Sequence, residues 1–371
     1  MTAKNLWRLR TYAITNSLFR PASIQAAVNR LGFVQADPIR SPARAQDLIL
    51  RHRVTGYRSG DLERRYPSLD IEEDYLYAYG FVSRETWRTL HPRPEVELTP
   101  LEKKILAKVR ELGATHPAEL EKHFGSKRVV NAWGGNSKAT TCALDHLHYR
   151  GFLRVARREN GIRLYEAARP QSEQLPSEQR LRKRILGIVN ILAPVPEKTL
   201  QTLTAPLLRR SFPGAGGARK VLSDMARTGE LVKETVYGVD YFLPPVKISE
   251  TEAPRRVSFL APFDPLVWDR RRFEHFWGWP YRFEAYTPSA KRLRGYYAMP
   301  LLWGDSVIGW VNARMEGERL RVEPGFIAKR PVDKQFRLEF EAEMVRLEAF
   351  LSPPRAKPRL NCVKYSHADR T

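Results

Sequence analysis

The pattern of apolar and polar positions is clearest between residues 99 and 169. Thr99-Pro100 is typical of a helix start, and the apolar residues that follow recur every three or four positions. Two more helices are predicted over residues 117–124 and about 138–150. Asn160-Gly161 then separates two alternating runs, the strongest short signal for a β-hairpin. Helices followed by a hairpin predict a winged helix-turn-helix module.

The same order of elements recurs on both sides of this module. A weaker copy is predicted downstream, with helices at Glu178–Leu192, Lys198–Leu203 and Ala218–Thr228 and a hairpin from Glu230 to Leu243. A further copy is predicted in the first 55 residues, with helices near 4–16, 22–31 and 41–53 and a short strand at 33–35. The repetition indicates tandem winged-helix modules.

The remaining segments have different patterns. Residues 60–98 indicate a helical connection that contains several aromatic residues. The stretch from 255 to 350 is rich in strand-forming residues and ends in a helix near 331–350. Predicted strands there are Arg256–Leu260, Tyr281–Tyr286, Gly295–Leu302 and Val307–Met315.

Together these patterns predict an α+β chain with tandem winged helices and a C-terminal β-rich domain. The expected boundaries are 1–98 for a first winged helix with its helical connection, 99–170 and 171–250 for two more, 251–351 for the β-rich domain, and 352–371 for a loose basic tail.

The net charge of the chain indicates the kind of partner that it binds. The 371 residues carry a formal net charge of +22, and 42% of them are hydrophobic. A folded protein with so much positive charge is expected to bind a polyanion, most commonly nucleic acid. A membrane surface is the competing partner, but the longest apolar run, Tyr296–Trp303, is interrupted by Pro300. The N-terminus also lacks the apolar region of a signal peptide, so we expect a cytoplasmic, nucleoid-associated protein without a membrane partner.

Metal and disulfide chemistry are disfavoured. Cys142 and Cys362 are the only cysteines, which excludes a disulfide framework and a cysteine-rich zinc site. His146 and His148 are two apart and would face different sides of a helix. We therefore expect neither a metal nor another cofactor, so that any catalysis uses ordinary side chains.

Gln35 and Asp37 are the candidate catalytic pair. On an extended segment, residues two apart point the same way. An amide can hold a water molecule by hydrogen bonds, and a carboxylate can polarise that water or stabilise a nearby cation. The alternative is structural, since Gln and Asp before a proline often cap a helix or bond within a loop, and Asp37 precedes Pro38.

Three sequence blocks resemble the winged-helix DNA glycosylases of the YcaQ/AlkZ type. The first runs from Leu31 through Gln35-Ala36-Asp37-Pro38 to Leu48, and the others are Ala261–Arg271 and Lys291–Asp305. The resemblance covers nearly the whole chain. It implies a C-shaped arrangement of tandem winged helices and a β-domain, and an enzyme that excises N7-alkylated purines and unhooks interstrand crosslinks. The expected partner is double-stranded DNA carrying such purines.

The resemblance assigns catalysis to Gln35 and Asp37, because the family motif is Gln, an apolar residue, then Gln or Asp. The Asp-bearing form matches the YcaQ-like branch, although small Ala36 stands where a bulkier aliphatic residue is usual. N7-alkylated guanine is cationic and leaves without protonation, so the remaining barrier is an oxocarbenium-like sugar and a poorly placed water. We expect Gln35 to orient that water and Asp37 to stabilise the cation.

Basic residues on predicted hairpins are the candidate DNA contacts. Arg154, Arg157, Arg158 and Arg163 flank the Asn-Gly turn, and Lys291, Arg292 and Arg294 precede Tyr296, which is itself a candidate DNA contact. Arginines beside aromatic residues on a hairpin can contact phosphates and enter a minor groove. The alternative is a solvated basic face. For Arg44, support of the pocket through Asp37, a phosphate contact and simple exposure all stay open.

Other functions also fit parts of the sequence. A transcriptional regulator is the main alternative, because winged helices commonly serve that role. Such regulators typically dimerise, whereas this chain shows no heptad repeat, so we expect a monomer. A glycosylase that also nicks DNA through a lysine imine is a third reading, but no lysine neighbours Gln35 or Asp37.

Overall fold

A computed structural model describes residues 2–93, 97–130, 134–168, 175–246, 248 and 252–352. The predicted tail from residue 353 onward, with Cys362, lies outside this part of the chain. The fold mixes helices and strands, as the sequence predicts. No helix in the described ranges is long and apolar enough to cross a membrane.

The first module carries the candidate catalytic pair on a small sheet. Strand β1 pairs with β3, which in turn pairs with β2, all antiparallel. Its elements are α1 (Thr2–Ser17), α2 (Ile24–Leu31), β1 (Phe33–Gln35), α3 (Ala45–Leu50), α4 (Asp61–Arg65), β2 (Ile71–Tyr75), β3 (Tyr79–Ser83) and α5 (Arg84–Leu90). The helices and β1 confirm the prediction.

The β2–β3 hairpin corrects the expectation that residues 60–98 form a helical connection. Strand β2 contains Glu72, Glu73 and Asp74, and all three carboxylates are buried. Acidic residues are depleted in strands, so local propensity does not reveal this element. Gly80 allows the close approach of β1, because a Cβ there would lie 2.3 Å from the Val34 carbonyl oxygen.

The second module follows the predicted order with one addition. Thr99 and Glu102 form the capping box of the first helix, and Asn160 and Gly161 both have positive φ at the hairpin turn. The addition is a short strand pair, β4 with β5. The elements are α6 (Pro100–Leu112), α7 (Pro117–Phe124), β4 (Arg128–Val130), β5 (Asn136–Lys138), α8 (Ala139–Tyr149), β6 (Leu153–Glu159) and β7 (Ile162–Ala167).

The third module also has the predicted helices and hairpin. Its second helix runs eight residues further than predicted, through Pro206 to Ser211. The elements are α9 (Ser177–Leu192), β8 (Val195–Pro196), α10 (Glu197–Ser211), α11 (Ala218–Arg227), β9 (Val232–Val236) and β10 (Val239–Leu243). Strand β10 pairs with both β8 and β9.

The C-terminal part contains a four-stranded antiparallel sheet in the order β11-β12-β13-β14. The predicted strand at Tyr281–Tyr286 is wrong: this stretch is an irregular loop. Asp264 and Asp269 cap two unpredicted short helices. The elements are β11 (Val257–Phe259), α12 (Pro265–Trp268), α13 (Arg270–Trp277), β12 (Met299–Trp303), β13 (Ser306–Glu316), β14 (Arg319–Phe326) and α14 (Lys334–Leu351).

The modules share two hydrophobic cores. One joins the first and second modules to the C-terminal sheet and α14, and the other joins α1 and β3 to the third module and α13. A buried ion pair between Arg53 and Asp264, 2.8 Å long, fixes the first module to the short helix α12. The first module is therefore held from both sides, which fixes the position of β1.

Candidate active site

A cavity of about 1000 Å³ opens beside the end of β1. It lies between the first module, the wing and third helix of the second module, and one loop of the C-terminal part. Its lining residues are Ala36, Asp37, Pro38, Arg44, Gln46, Asp74, Tyr75, Tyr79, Asp145, His148, Tyr149, Arg158, Gly161, Arg163 and Tyr286. Candidate catalytic and DNA-binding residues from distant parts of the sequence therefore meet here.

Asp37 is half-buried on the cavity wall. Its Oδ1 accepts a hydrogen bond from the Ile39 amide at 2.9 Å, and its own amide donates to Gln46 Oε1 at 3.4 Å. Within the described residues, Oδ2 makes no hydrogen bond. Asp37 thus has in part the structural role considered above, because one oxygen stabilises the local turn. The other oxygen remains available.

Burial sets the protonation behaviour of Asp37. Loss of solvent raises the pKa of this carboxyl above its ordinary value, and the hydrogen bond from Ile39 offsets the rise in part. A carboxylate with a raised pKa accepts a proton more readily than one in water. The group is suited to polarise a water molecule.

Gln35 lies just behind the cavity wall and is not among the lining residues. It ends β1 opposite Gly80, so its backbone is fixed by the sheet. Its Oε1 is buried without a hydrogen-bond partner in the described structure, and the same holds for the hydroxyl of Tyr297. Both groups keep a hydrogen-bonding capacity that a water molecule or a substrate can satisfy.

Four tyrosines line the cavity, and sequence reasoning assigned none of them to the site. Tyr75, Tyr149 and Tyr286 expose 37%, 43% and 81% of their surface, whereas Tyr79 donates to Glu73 Oε2 at 2.8 Å. Aromatic faces of this kind stack on nucleobases. The alternation of Tyr75, Tyr77 and Tyr79 was the available signal, since it marks the β2–β3 hairpin.

The arginines of the wing are bound to carboxylates of the protein. Arg154 contacts Glu72 at 3.0 Å and Glu166 at 2.5 Å, and Arg158 contacts Glu73 at 2.6 Å. These predicted DNA contacts therefore also join the wing to β2. Of the two, only Arg158 lines the cavity.

Two further wing arginines differ in their surroundings. Arg163 pairs with Asp145 at 3.0 Å, and its guanidinium lies 5.1 Å from the centre of the Tyr79 ring. Arg157 is exposed, and its one ion pair within the described residues is with its exposed neighbour Glu159. Arg163 thus belongs to the cavity wall, and Arg157 projects into solvent.

Arg44 connects the catalytic segment to the wing. It forms an ion pair with Glu63, and a Cβ on Gly161 at the wing tip would lie 2.5 Å from Arg44 Nη2. The structure thus places Arg44 on the cavity wall, in contact with the wing. Neither simple exposure nor an ion pair with Asp37 describes its position.

The predicted basic segment of the C-terminal part is a loop with a short 3₁₀ turn at Ser289–Lys291, which corrects the expectation of a hairpin. Arg292 Nε donates to the Thr287 carbonyl at 2.8 Å, and its guanidinium lies 5.0 Å from the Tyr296 ring. Arg294 lies 5.0 Å from the Trp279 ring. Lys291 is exposed, and the loop reaches the cavity through Tyr286.

Buried charges beneath the cavity are paired. Asp74 lies 2.8 Å from Arg93 and 2.7 Å from His91. Burial opposes ionisation of Asp74, but Arg93 and the hydrogen bond from His91 outweigh it and hold its pKa well below the usual range. Asp74 therefore remains charged and is occupied by its partners, which leaves Asp37 as the available carboxylate beside β1.

Metal ligands are not grouped in the part of the chain that the structure describes. No set of three or more His, Cys, Asp or Glu side chains is placed to hold an ion. The cavity lining given by the described residues contains no lysine.

Comparisons with known proteins agree with this geometry. A family model described as DNA glycosylase AlkZ-like matches residues 28–350. Among solved structures, the DNA glycosylase AlkZ of Streptomyces sahachiroi is similar, with a TM-score of 0.60 and 13% sequence identity over 94% of this chain and 96% of that chain. At this identity the structural likeness shows the fold, whereas the family match includes both Gln35 and Asp37.

Proposed function

This chain belongs to the AlkZ-like DNA glycosylase family, and we propose that it hydrolyses the N-glycosidic bond of N7-alkylated purines, including purines in interstrand crosslinks. It is a DNA glycosylase, and DNA is its substrate. The observation that carries the finer proposal is the Asp37 carboxylate, half-buried on the wall of a tyrosine-lined cavity with Oδ2 available.

The reaction needs little from the protein at the leaving group. Alkylation at N7 makes the purine cationic, so it departs with the electron pair of the glycosidic bond and becomes neutral. Water forms the new bond to C1′ of the deoxyribose and loses a proton. Asp37 would stabilise the oxocarbenium-like transition state and attract that proton, while the Oε1 of Gln35 would orient the water.

Electrostatics give a rough scale for the role of Asp37. Two opposite unit charges about 4 Å apart interact by about 4 kcal/mol at an effective dielectric near 20. That energy corresponds to roughly a thousandfold in rate. The half-buried position of Asp37 supports this setting, because exposure to bulk water would screen the charge.

The tyrosines would bind the damaged base. A cationic purine is attracted to the face of an aromatic ring, and Tyr75, Tyr149 and Tyr286 present exposed rings to the cavity. A volume of about 1000 Å³ exceeds what one purine fills and leaves space for a bulky adduct. This open space supports action on crosslinked purines, which cannot leave the duplex completely.

The charged rim would position the DNA backbone. Arg44 and Arg163 line the cavity, and Lys291 and Arg157 are exposed on the loop and the wing beside it. We assign Arg154, Arg292 and Arg294 to the shaping of these contact surfaces, because each is held by other residues and none is among the cavity-lining residues. Arg158 lines the cavity, but its ion pair with Glu73 assigns it to joining the wing to β2. A monomer suffices for this arrangement.

Defined duplexes test the proposal. The protein is incubated with one duplex that contains a single N7-methylguanine and with another that contains an N7-linked interstrand crosslink. We expect released methylguanine, loss of the crosslink, and strand breakage only after alkali. Trapping with borohydride should give no protein–DNA adduct.

Two results would contradict the proposal in different ways. Binding of both duplexes without release of a base would remove the assigned substrate class. Strand breakage without alkali, accompanied by a trapped adduct, would replace hydrolysis by lysine chemistry.

A further inference from the structure

A second, smaller cavity adjoins the first one. It encloses about 200 Å³ and lies between the β2–β3 turn, the end of α8 and the helices α9 and α10. Tyr75 and Tyr149 line both cavities. The smaller cavity is called the Arg184 pocket here, and its polar lining includes Arg93, Arg184, Arg210, Thr202 and Ser211.

Arg184 has no partner for its charge. Its Nε is buried without a hydrogen bond, and the guanidinium makes no ion pair within the described residues. Burial, together with the positive charge of Arg93, lowers its pKa to about 10. Arg184 as a whole is partly buried, but a largely enclosed cation without an ion pair is still costly, so such a group calls for a physical explanation.

Enclosed arginines elsewhere in this protein are satisfied by carboxylates or, as for Arg272, by backbone carbonyls. Arg53 pairs with Asp264, Arg51 with Glu343, and Arg158 with Glu73. Beside Arg184, the nearby carboxylate Asp74 is already bound to Arg93 and His91. Within the described residues, no carboxylate is therefore free to balance the charge of Arg184.

The surroundings make this pocket positive overall. Arg93 is balanced by Asp74, whereas Arg184 and exposed Arg210 add two charges without an acidic residue in the lining. The two Nη atoms of a guanidinium can each donate a hydrogen bond to an oxygen of a phosphate group. The tyrosine rings on the shared wall suit the sugar and base on either side of such a group.

We propose that the Arg184 pocket binds one backbone phosphate of the DNA, next to the nucleotide that occupies the larger cavity. The inference rests on the proposed function, because that places the damaged nucleotide against Tyr75 and Tyr149. Arg184 is then a positioning residue: it holds the strand and does not touch the reacting bond. Its removal should weaken binding and leave the rate of base release at saturating protein unchanged.

Arg184→Met tests the pocket, with Lys183→Met as the matched control. Lys183 is exposed on the same helix, so both variants lose one positive charge from α9. We expect Arg184→Met to bind a duplex with one N7-methylguanine roughly tenfold more weakly, as for loss of one charge-assisted contact. The slope of log K against log salt should fall by about 0.9. Lys183→Met should change binding by less than twofold.

A neutral-linkage scan locates the contact. Methylphosphonates replace the phosphates of the duplex one at a time, and the wild-type protein should lose affinity at one step near the lesion. Arg184→Met should be insensitive at that same step and respond normally elsewhere. The melting temperature without DNA should stay the same or rise, because the variant removes an unpaired buried cation.

Several outcomes would overturn the pocket without affecting the proposed function. One is that Arg184→Met and Lys183→Met bind DNA with the same affinity. Another is that Arg184→Met lowers the melting temperature by several degrees. A third is a scan in which the effect of no neutral linkage depends on Arg184. If inorganic phosphate alone raised the melting temperature of the protein as much as DNA does, the ligand of the pocket would be a free anion instead. If the wild-type protein shows the Arg184-dependent loss of affinity in the scan but releases no base, only the proposed function would be overturned.

Discussion

Asp37 divides its two oxygens between structure and chemistry. Oδ1 accepts the Ile39 amide and thereby fixes the side-chain torsion, while Oδ2 is left for the cavity. The amide of Asp37 is held by Gln46, which is itself buried. This anchoring means that the carboxylate is already positioned before the substrate binds, so little reorganisation is needed during the reaction.

The raised pKa of Asp37 predicts the pH dependence of base release. The carboxylate acts in its ionised form, so the single-turnover rate should be flat near neutral pH. It should fall as the pH drops through a pKa above the ordinary value for aspartate, about 3.9. The rate is measured on N7-methylguanine duplex after subtraction of the enzyme-free rate, with circular dichroism to exclude acid unfolding.

A rate that does not fall at acidic pH while the protein stays folded would contradict this assignment. An acid limb that persists unchanged in Asp37→Asn would assign the titration to another group. Both results would leave the fold and the cavity intact, so the test concerns the role of the carboxylate alone.

Individual residues were predictable where the chemistry lies close together in sequence. Gln35 and Asp37 are two apart, and the motif together with the two other resembling sequence blocks leads to their proposal as the catalytic pair. The pairing of Arg158 with Glu73 was not predictable, because 85 positions separate the partners and any exposed acid would have fitted equally well. The same reason hid the unpaired state of Arg184.

Strand β6 in the wing of the second module has one face that contacts β2 and another that is exposed to solvent. Arg158 on β6 reaches Glu73 on β2, and Glu73 is fully enclosed. Arg157, its neighbour in sequence, is exposed, and in the described part of the chain its ion pair is with Glu159. Since side chains alternate along a strand, one element can join the modules and face the DNA.

Arg158→Met and Arg157→Met separate these two roles. Breaking the enclosed pair leaves Glu73 without its cation, so Arg158→Met should destabilise the protein by about 3 kcal/mol. Arg157→Met should leave stability within about 0.5 kcal/mol. It should instead reduce the salt slope of DNA binding. Denaturant unfolding and binding titrations at several salt concentrations measure these effects.

Equal stability of the two variants would show that the wing is not held through Glu73. An unchanged salt slope in Arg157→Met would remove Arg157 from the proposed DNA contacts. The pair is informative because the two substitutions are identical and adjacent.

Elements with strong local signals were predicted well. The capping box of Thr99 and Glu102 and the Asn160-Gly161 turn are formed as expected, because each depends on residues a few positions apart. The hairpin β2–β3 was missed because its acidic strand is stabilised by arginines from the second module. The stretch Tyr281–Tyr286 was wrongly predicted as a strand because its aromatic residues favour strands. In the structure Tyr281 packs on Phe273, and Phe283 packs on Phe263.

The whole molecule depends on contacts between parts that are distant in sequence. Arg51 in the first module pairs with Glu343 on the final helix at 2.6 Å, and both side chains are buried. Burial opposes the charge of Glu343, but Arg51 outweighs it and lowers its pKa to about 2. The C-terminal helix thus holds the first module, so residues far apart in the sequence support the position of the cavity wall.

The tandem arrangement and the α+β class were predictable from repeated element order. The relative placement of the modules was not, because it depends on two shared cores and on ion pairs such as Arg53 with Asp264. That placement creates the cavity. Its tyrosines come from three separate regions of the chain and lack a common motif.

The proposed role of Asp37 is to accelerate base release from its position on the wall of this cavity. Single-turnover release of N7-methylguanine by saturating Asp37→Asn protein tests it most directly, because the substitution keeps the shape and removes the charge. The account predicts a loss of rate approaching a thousandfold, with DNA binding and melting temperature close to wild type. A variant that retains both its fold and a rate within a few-fold of wild type would contradict it.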